Sequence, residues 1–178
     1  RRQRQMCIRD SLRDFLGSGG RLMLTLAGAM STAEIGKSLA PAIREQRIHA
    51  ICCTGANLEE ELFGLVSRSE YEMIPNWREQ SKEDDAQLSK RKMNRVTDVA
   101  IPEKAFVQIG EKLFELWEEA EFVGDSRFPH EYVYDLLLHG DLEISSPSDE
   151  SWLIAAADAN LPISVSYTHL RAHETQRN

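Results

Sequence analysis

Hydrophobic positions along the chain gather into runs of two kinds. Arg21-Leu22-Met23-Leu24-Thr25-Leu26-Ala27 is a short apolar run behind the turn-forming Gly17-Ser18-Gly19-Gly20, and it predicts a buried strand. Ile48-His49-Ala50-Ile51-Cys52-Cys53 predicts a second one. Between them Ala33, Ile35, Leu39, Ala42 and Ile43 recur at helical spacing, with Ser31 or Thr32 placed to cap the helix and Pro41 placed to interrupt or kink it. After the second strand, Thr54-Gly55-Ala56-Asn57 leads into a helix over Leu58 to Val66 with an acidic first turn. Strand and helix alternate, and the strand runs are too apolar for a sheet wetted on one side. The pattern predicts an α/β fold, a parallel sheet with helices packed on its faces.

The rest of the chain is less even. Residues 67–100 are polar and charged, with a weak helical signal around Asp84 to Met93, and read mostly as an excursion over the surface. Ile101-Pro102-Glu103 then opens an amphipathic helix with Phe106, Ile109, Leu113, Leu116 and Trp117 on one side and Pro102 in its first turn. Two further helices are predicted, about Pro129 to His139 and Glu150 to Ala159, before Asn160-Leu161-Pro162-Ile163 starts another buried strand. The chain has no internal repeat and no low-complexity segment.

The two ends break the pattern. RRQRQMCIRDS and SVSYTHLRAHET carry neither periodicity, and Arg1 to Ser11 lacks the apolar run of a secretory signal. Codons for residues 6–11 and 164–169 can be written as reverse complements of one another, as in the translated adapters of a sequencing library. The expectation is therefore that residues 1–11 and 165–178 are adapter-derived and that residues 12–164 are the N-terminal portion of a longer domain. That window holds 15 basic and 27 acidic side chains, a net charge of −12, against −8 for the whole chain. Such a balance argues against a nucleic-acid phosphate binder and suits a soluble protein or one that meets cations. Cys52 and Cys53 are adjacent within an apolar run, which points to a reducing, cytoplasmic setting without a disulfide framework or a zinc site. No run reaches membrane-spanning length, and no membrane role is expected.

Candidate chemistry sits where a parallel sheet gathers ligands, at the carboxyl ends of its strands. Ala27-Gly28-Ala29-Met30-Ser31-Thr32 and Thr54-Gly55-Ala56-Asn57 are two such ends, with small residues that let a cofactor approach the backbone. Neither is the GxGxxG fingerprint, and a plain tight turn explains each one taken alone. Glu59-Glu60-Glu61 either complements a helix dipole or presents a carboxylate to a cationic substrate or a ribose hydroxyl. His49, His130 and His139 lack metal-ligand spacing and read as core or capping residues, while the two cysteines read as inert packing. No nucleophile elbow, P-loop or metalloprotease motif occurs.

Taken together, Leu24-Thr25-Leu26-Ala27-Gly28-Ala29-Met30-Ser31-Thr32-Ala33 and Cys53-Thr54-Gly55-Ala56-Asn57-Leu58-Glu59-Glu60-Glu61 resemble the deoxyhypusine synthase family, in its bacterial branch. Met93-Asn94-Arg95-Val96-Thr97-Asp98 leading to Ile101-Pro102-Glu103, Phe128-Pro129-His130-Glu131, and Ser151-Trp152 through Asn160-Leu161-Pro162-Ile163 extend the likeness over residues 20–163. The resemblance implies a Rossmann-like fold, cut before its C-terminal half, and an NAD-dependent transferase acting as a homotetramer or other homo-oligomer. Such enzymes oxidise spermidine and pass its aminobutyl group to an enzyme lysine as an imine, then to an acceptor amine. It implies cofactor contacts at Gly28, Ala29, Met30, Ser31, Thr32, Thr54, Gly55, Ala56 and Glu60, and polyamine contacts at Glu59 and Glu60. The catalytic lysine would lie beyond the truncation. Ala29-Met30 and Gly55-Ala56 depart from the eukaryotic pattern, so the acceptor is either a protein lysine or another polyamine, as in a homospermidine synthase. A noncatalytic scaffold that kept the fold is the remaining alternative.

Overall fold

The computed structural model describes residues 2–166, and the tail beyond Ser166 lies outside the described residues. In chain order the elements are α1 (Arg2–Gly17), β1 (Met23–Leu26), α2 (Gly36–Arg44), β2 (Ala50–Thr54), α3 (Gly55–Ser67), β3 (Glu72–Met73), α4 (Lys82–Lys90), β4 (Met93–Val96), β5 (Val99–Pro102), α5 (Glu103–Val123), α6 (Pro129–His139), α7 (Trp152–Asp158) and β6 (Ile163–Ser166). Short 3-10 turns cover Ser31–Ala33, Arg68–Glu70, Trp77–Glu79 and Ser148–Glu150.

The predicted strand-helix-strand-helix start is present, and its strands pair as expected. β1, β2 and β6 form a parallel sheet in that order, with Leu24 beside Ile51 and Ile51 beside Ile163. Because side chains alternate across a strand, the row Leu24, Ile51, Ile163 and the row Leu26, Cys53, Val165 point into the core. The alternate row carries Thr25, Cys52 and Ser164, of which Thr25 and Ser164 are exposed. The flanking helices thus cover one face of the sheet, on which Leu24 and Val165 are partly buried and the other four residues buried. α2 and α7 lie against each other there, and the fully buried Trp152 fills the space between them and β1's loop.

Several local expectations are corrected. Neither Ser31 nor Thr32 caps α2: both sit in a 3-10 turn, Glu34 turns the chain in the left-handed region (φ 56°), and α2 starts at Gly36. The hydroxyl of Ser31 is drawn to α3 instead, as described below. Pro41 lies inside α2 without ending it. Pro102 is not in the first turn of α5; it closes β5 opposite Met93, and α5 starts at Glu103. Of the predicted apolar side of α5, Phe106, Ile109, Leu113 and Leu116 pack on the core, whereas Trp117 stays half-exposed, leaning edge-on against Tyr132 of α6. The third predicted strand begins at Ile163 and runs to Ser166, through two residues expected to be adapter-derived. α1 was not predicted, and among its described side chains from Met6 to Phe15 every one is exposed.

The largest correction concerns residues 67–100. They are organised as a second, antiparallel sheet in the order β3-β5-β4, with its own small core of Leu88, Met93 and Ala100. α4 starts at a capping box between Ser81 and Asp84 and is fixed to this sheet by Arg95, whose guanidinium reaches both carboxylate oxygens of Asp85 at 2.5 and 2.7 Å.

α2 approaches the chain before α7 so closely that residue 36 must be glycine. A Cβ there would stand 2.3 Å from the Glu150 carbonyl oxygen.

Candidate functional site

β1 and β2 are parallel and in register, so the loops that follow them emerge side by side. The first loop turns at Gly28, whose φ of 66° suits a residue without a Cβ. The second passes directly into α3, with Thr54 as its N-cap in extended backbone.

Thr54 does not cap α3 with its side chain. Its hydroxyl donates instead to the Gly28 carbonyl at 2.5 Å, across to the first loop. The amide groups of α3's first turn are therefore left without a side-chain cap, at the positive end of a helix of 13 residues. Gly55 and Ala56 begin that turn, and a Cβ on Gly55 would meet only Val165 at 4.0 Å.

Asn57 joins the two loops. Its side-chain amide donates to the Gly28 carbonyl at 2.7 Å and to the Thr54 hydroxyl at 2.8 Å, and its side-chain oxygen accepts from the Met30 amide at 3.0 Å. The Ser31 hydroxyl donates to the Asn57 carbonyl at 2.7 Å and accepts from the Trp152 indole at 3.1 Å. Ser31, Asn57 and Trp152 are each fully buried. One turn further along α3, Glu60 accepts from the Thr32 amide at 3.2 Å.

All the residues named from the sequence are thus brought to one place, but they do different things. Ala29 and Met30 are exposed on the loop surface. Ser31 is wholly buried with its hydroxyl engaged on both sides, which gives it a part in holding the loop. Glu60 is buried and holds the loop, while Glu59 is exposed beside it. The Glu59 carboxyl is raised above the usual carboxylate range, by burial first and by the Glu60 charge second. Glu61, almost wholly buried, is also raised by burial, against a hydrogen bond from Ser151 at 2.7 Å.

A cleft of about 600 Å³ opens between the first loop and the β4–β5 hairpin, with Ala29, Thr32, Arg68, Thr97 and Asp98 among its walls. Arg68 pairs with Glu34 at 2.9 Å on its rim, and together with Lys37 it holds the Glu34 carboxyl below its ordinary value.

A family model described as deoxyhypusine synthase matches residues 10–168. The chain belongs to the deoxyhypusine synthase family. No curated protein sequence matches it. Membership makes the protein deoxyhypusine-synthase-like and places it among transferases. Four of the segments that resemble this family build the site: two supply the loops, Met93 to Asp98 supplies a wall of the cleft, and Ser151-Trp152 closes the back, while Phe128 to His130 lie beside Met23 and Ile163.

Sequence reasoning named Asn57, Glu61 and Trp152 only as members of their stretches and gave none of them a role of its own. Asn57 follows the small-residue loop immediately, and an amide there, in the first turn of a helix, was a usable signal. The remaining candidates play structural parts. His49 accepts from the Leu22 amide at 3.2 Å, and His130 packs edge-on against Tyr134. His139, expected in the core or at a cap, is exposed in the last turn of α6. Burial pushes the Cys53 thiol up to about 12, which keeps it unreactive. Among the described residues there is no cluster of three metal-ligating side chains and no helix long and apolar enough to cross a membrane.

Proposed function

We propose that this chain is the cofactor-side portion of an NAD-dependent transferase that moves the aminobutyl group of spermidine to an acceptor amine. The observation that carries this reading is the uncapped N-terminus of α3, set beside the Gly28–Thr32 loop in a chain of this family. Uncapped first-turn amides and the helix dipole favour the phosphates of a dinucleotide. The absence of bulk at Gly28, Ala29, Gly55 and Ala56 fits the same group. NAD supplies a reversible two-electron oxidation of the substrate amine. The protein's part is to bind, orient and shield.

Gly28 to Thr32 would line one side of the cofactor, with Thr54, Gly55 and Ala56 on the other. Glu60 is held in place by Thr32 and would accept from a ribose hydroxyl on its far side. Glu59 is free to meet an ammonium group, and its raised carboxyl would be drawn into the charged form by that cation. The nucleophilic lysine is assigned to no residue of this chain; the reading places it in a further segment of the enzyme, as a homo-oligomer in the cytoplasm.

Gly55→Asp separates this reading from a plain tight turn. A carboxylate in the first turn stabilises α3 but repels a phosphate at the same amides. Calorimetric titration of NAD into the chain should give saturable binding that Gly55→Asp weakens at least tenfold with no loss of thermal stability. An unaltered chain that fails to bind NAD rejects the cofactor. For the transfer itself, the complete enzyme with NAD and labelled spermidine should yield a borohydride-trapped covalent adduct, and absence of the adduct together with absence of diamine release rejects it.

A further inference from the structure

We propose that Trp152 is a positioning residue for the cofactor loop, acting through Ser31. It lies 121 residues from Ser31 in sequence, at the start of α7. The proposal rests on the dinucleotide reading above for its consequence, but its geometry is independent of any ligand.

An indole nitrogen can only donate. Trp152 therefore forces the Ser31 oxygen to accept, which leaves the Ser31 proton one place to go, the Asn57 carbonyl at 2.7 Å. The direction of the chain from Trp152 through Ser31 to Asn57 is set by donor chemistry alone. All three residues are shut off from solvent, so water cannot substitute for a missing partner at low cost. Asn57 in turn grips Met30 and Gly28 with its side chain, so the exposed part of the loop hangs from a buried row of hydrogen bonds.

The anchor at the other end is firm. Ser151 caps α7 by accepting from the Ile154 amide, and its hydroxyl donates to Glu61 on α3. α7 is thereby fastened to α3 at one point and to the loop at another. A shift of α7 relative to α3 would reach the loop through Ser31.

The test uses Trp152→Phe, Ser31→Ala and the double variant, read by amide hydrogen exchange in the full chain. Met30 and Thr32, whose amides are bonded to Asn57 and Glu60, are the probes. Each single variant should speed their exchange roughly five- to tenfold, as one net hydrogen bond implies. The double variant should go no further than Ser31→Ala, which already removes both bonds of the Ser31 hydroxyl. Effects that multiply in the double variant, or unchanged probe exchange in Ser31→Ala, overturn the relay. Protection of the Ala155 and Ala156 amides reports whether α7 survives Trp152→Phe, and Ser31→Ala decides if it does not. Each single variant should also weaken NAD binding by a similar factor. If the unaltered chain binds no NAD, the cofactor reading falls and the exchange results decide the relay by themselves.

Discussion

Asn57→Asp is the most incisive single change available at this site, because it alters hydrogen-bond donors without altering size. The introduced carboxyl can still accept from the Met30 amide, but it loses the two donor bonds to the Gly28 carbonyl and the Thr54 hydroxyl. It also brings an oxygen lone pair to face the Gly28 carbonyl, at a position with no exposure to solvent. Two lost hydrogen bonds at about 1 kcal/mol each, with about 1–3 kcal/mol for a buried group left unpaired, give a loss of about 3–5 kcal/mol at neutral pH. For a chain of this length that is a fall in Tm of about 10 °C. Protonating the introduced carboxyl restores one donor, so its pKa is raised in the folded state above the unfolded value of about 3.9. A raised folded value means that stability is retained below the unfolded pKa and lost as pH rises through the folded one. Thermal unfolding followed by circular dichroism at pH 3.5, 5 and 7 should show the gap between variant and parent widening with pH. A gap below about 1 kcal/mol at pH 7, or one that does not change with pH, would refute the central place given to Asn57.

Other outcomes follow from the same geometry. Glu61→Gln keeps a partner for Ser151 but removes a buried carboxyl whose pKa is raised, a group whose stability contribution is present below its ordinary value and lost as pH rises through its folded one. Urea midpoints from pH 4 to 8 should therefore favour the variant increasingly towards high pH, and parallel curves would reject this. Gly36→Ala drives a Cβ against the Glu150 carbonyl and should cost about 1–3 kcal/mol in chemical denaturation, whereas a neutral result would mean that α2 can shift away. Spermidine binding, measured by calorimetry from pH 4 to 8, should strengthen as pH rises through the raised Glu59 value. Glu59→Gln should flatten that profile, and an unchanged profile would remove Glu59 from the polyamine site.

The parallel sheet was readable because its strands are announced by uninterrupted apolar runs and its helices by helical spacing. The second sheet was not readable, and its hairpin shows why. The β4–β5 turn is Thr97-Asp98, with Thr97 at a φ of 59° that glycine or asparagine would ordinarily occupy. A β-branched residue there hides the turn from any reading based on turn chemistry, and strands of two to four residues are too short for alternation to register. Tertiary support from Arg95 and Asp85 holds what local propensity does not specify.

At the site, the residues on the loops were legible and their roles were not. Small residues after a strand mark a place where backbone is meant to be approached, and Gly28 to Thr32 and Thr54 to Ala56 do meet there. What a side chain does depends on which donor or acceptor arrives from elsewhere, and such partners leave no periodic trace. Ser31 is the clearest instance: read locally it is a helix cap, yet the Trp152 indole and the Asn57 carbonyl claim its hydroxyl from residues far along the chain. Glu59 and Glu60 show the same division within one helix. Adjacent in sequence and identical in type, they are separated by the 100° step of the helix, which buries Glu60 against the Thr32 amide and leaves Glu59 exposed. Glu59 is then the carboxylate of the pair that faces solvent, and the fold, not the motif, decides which.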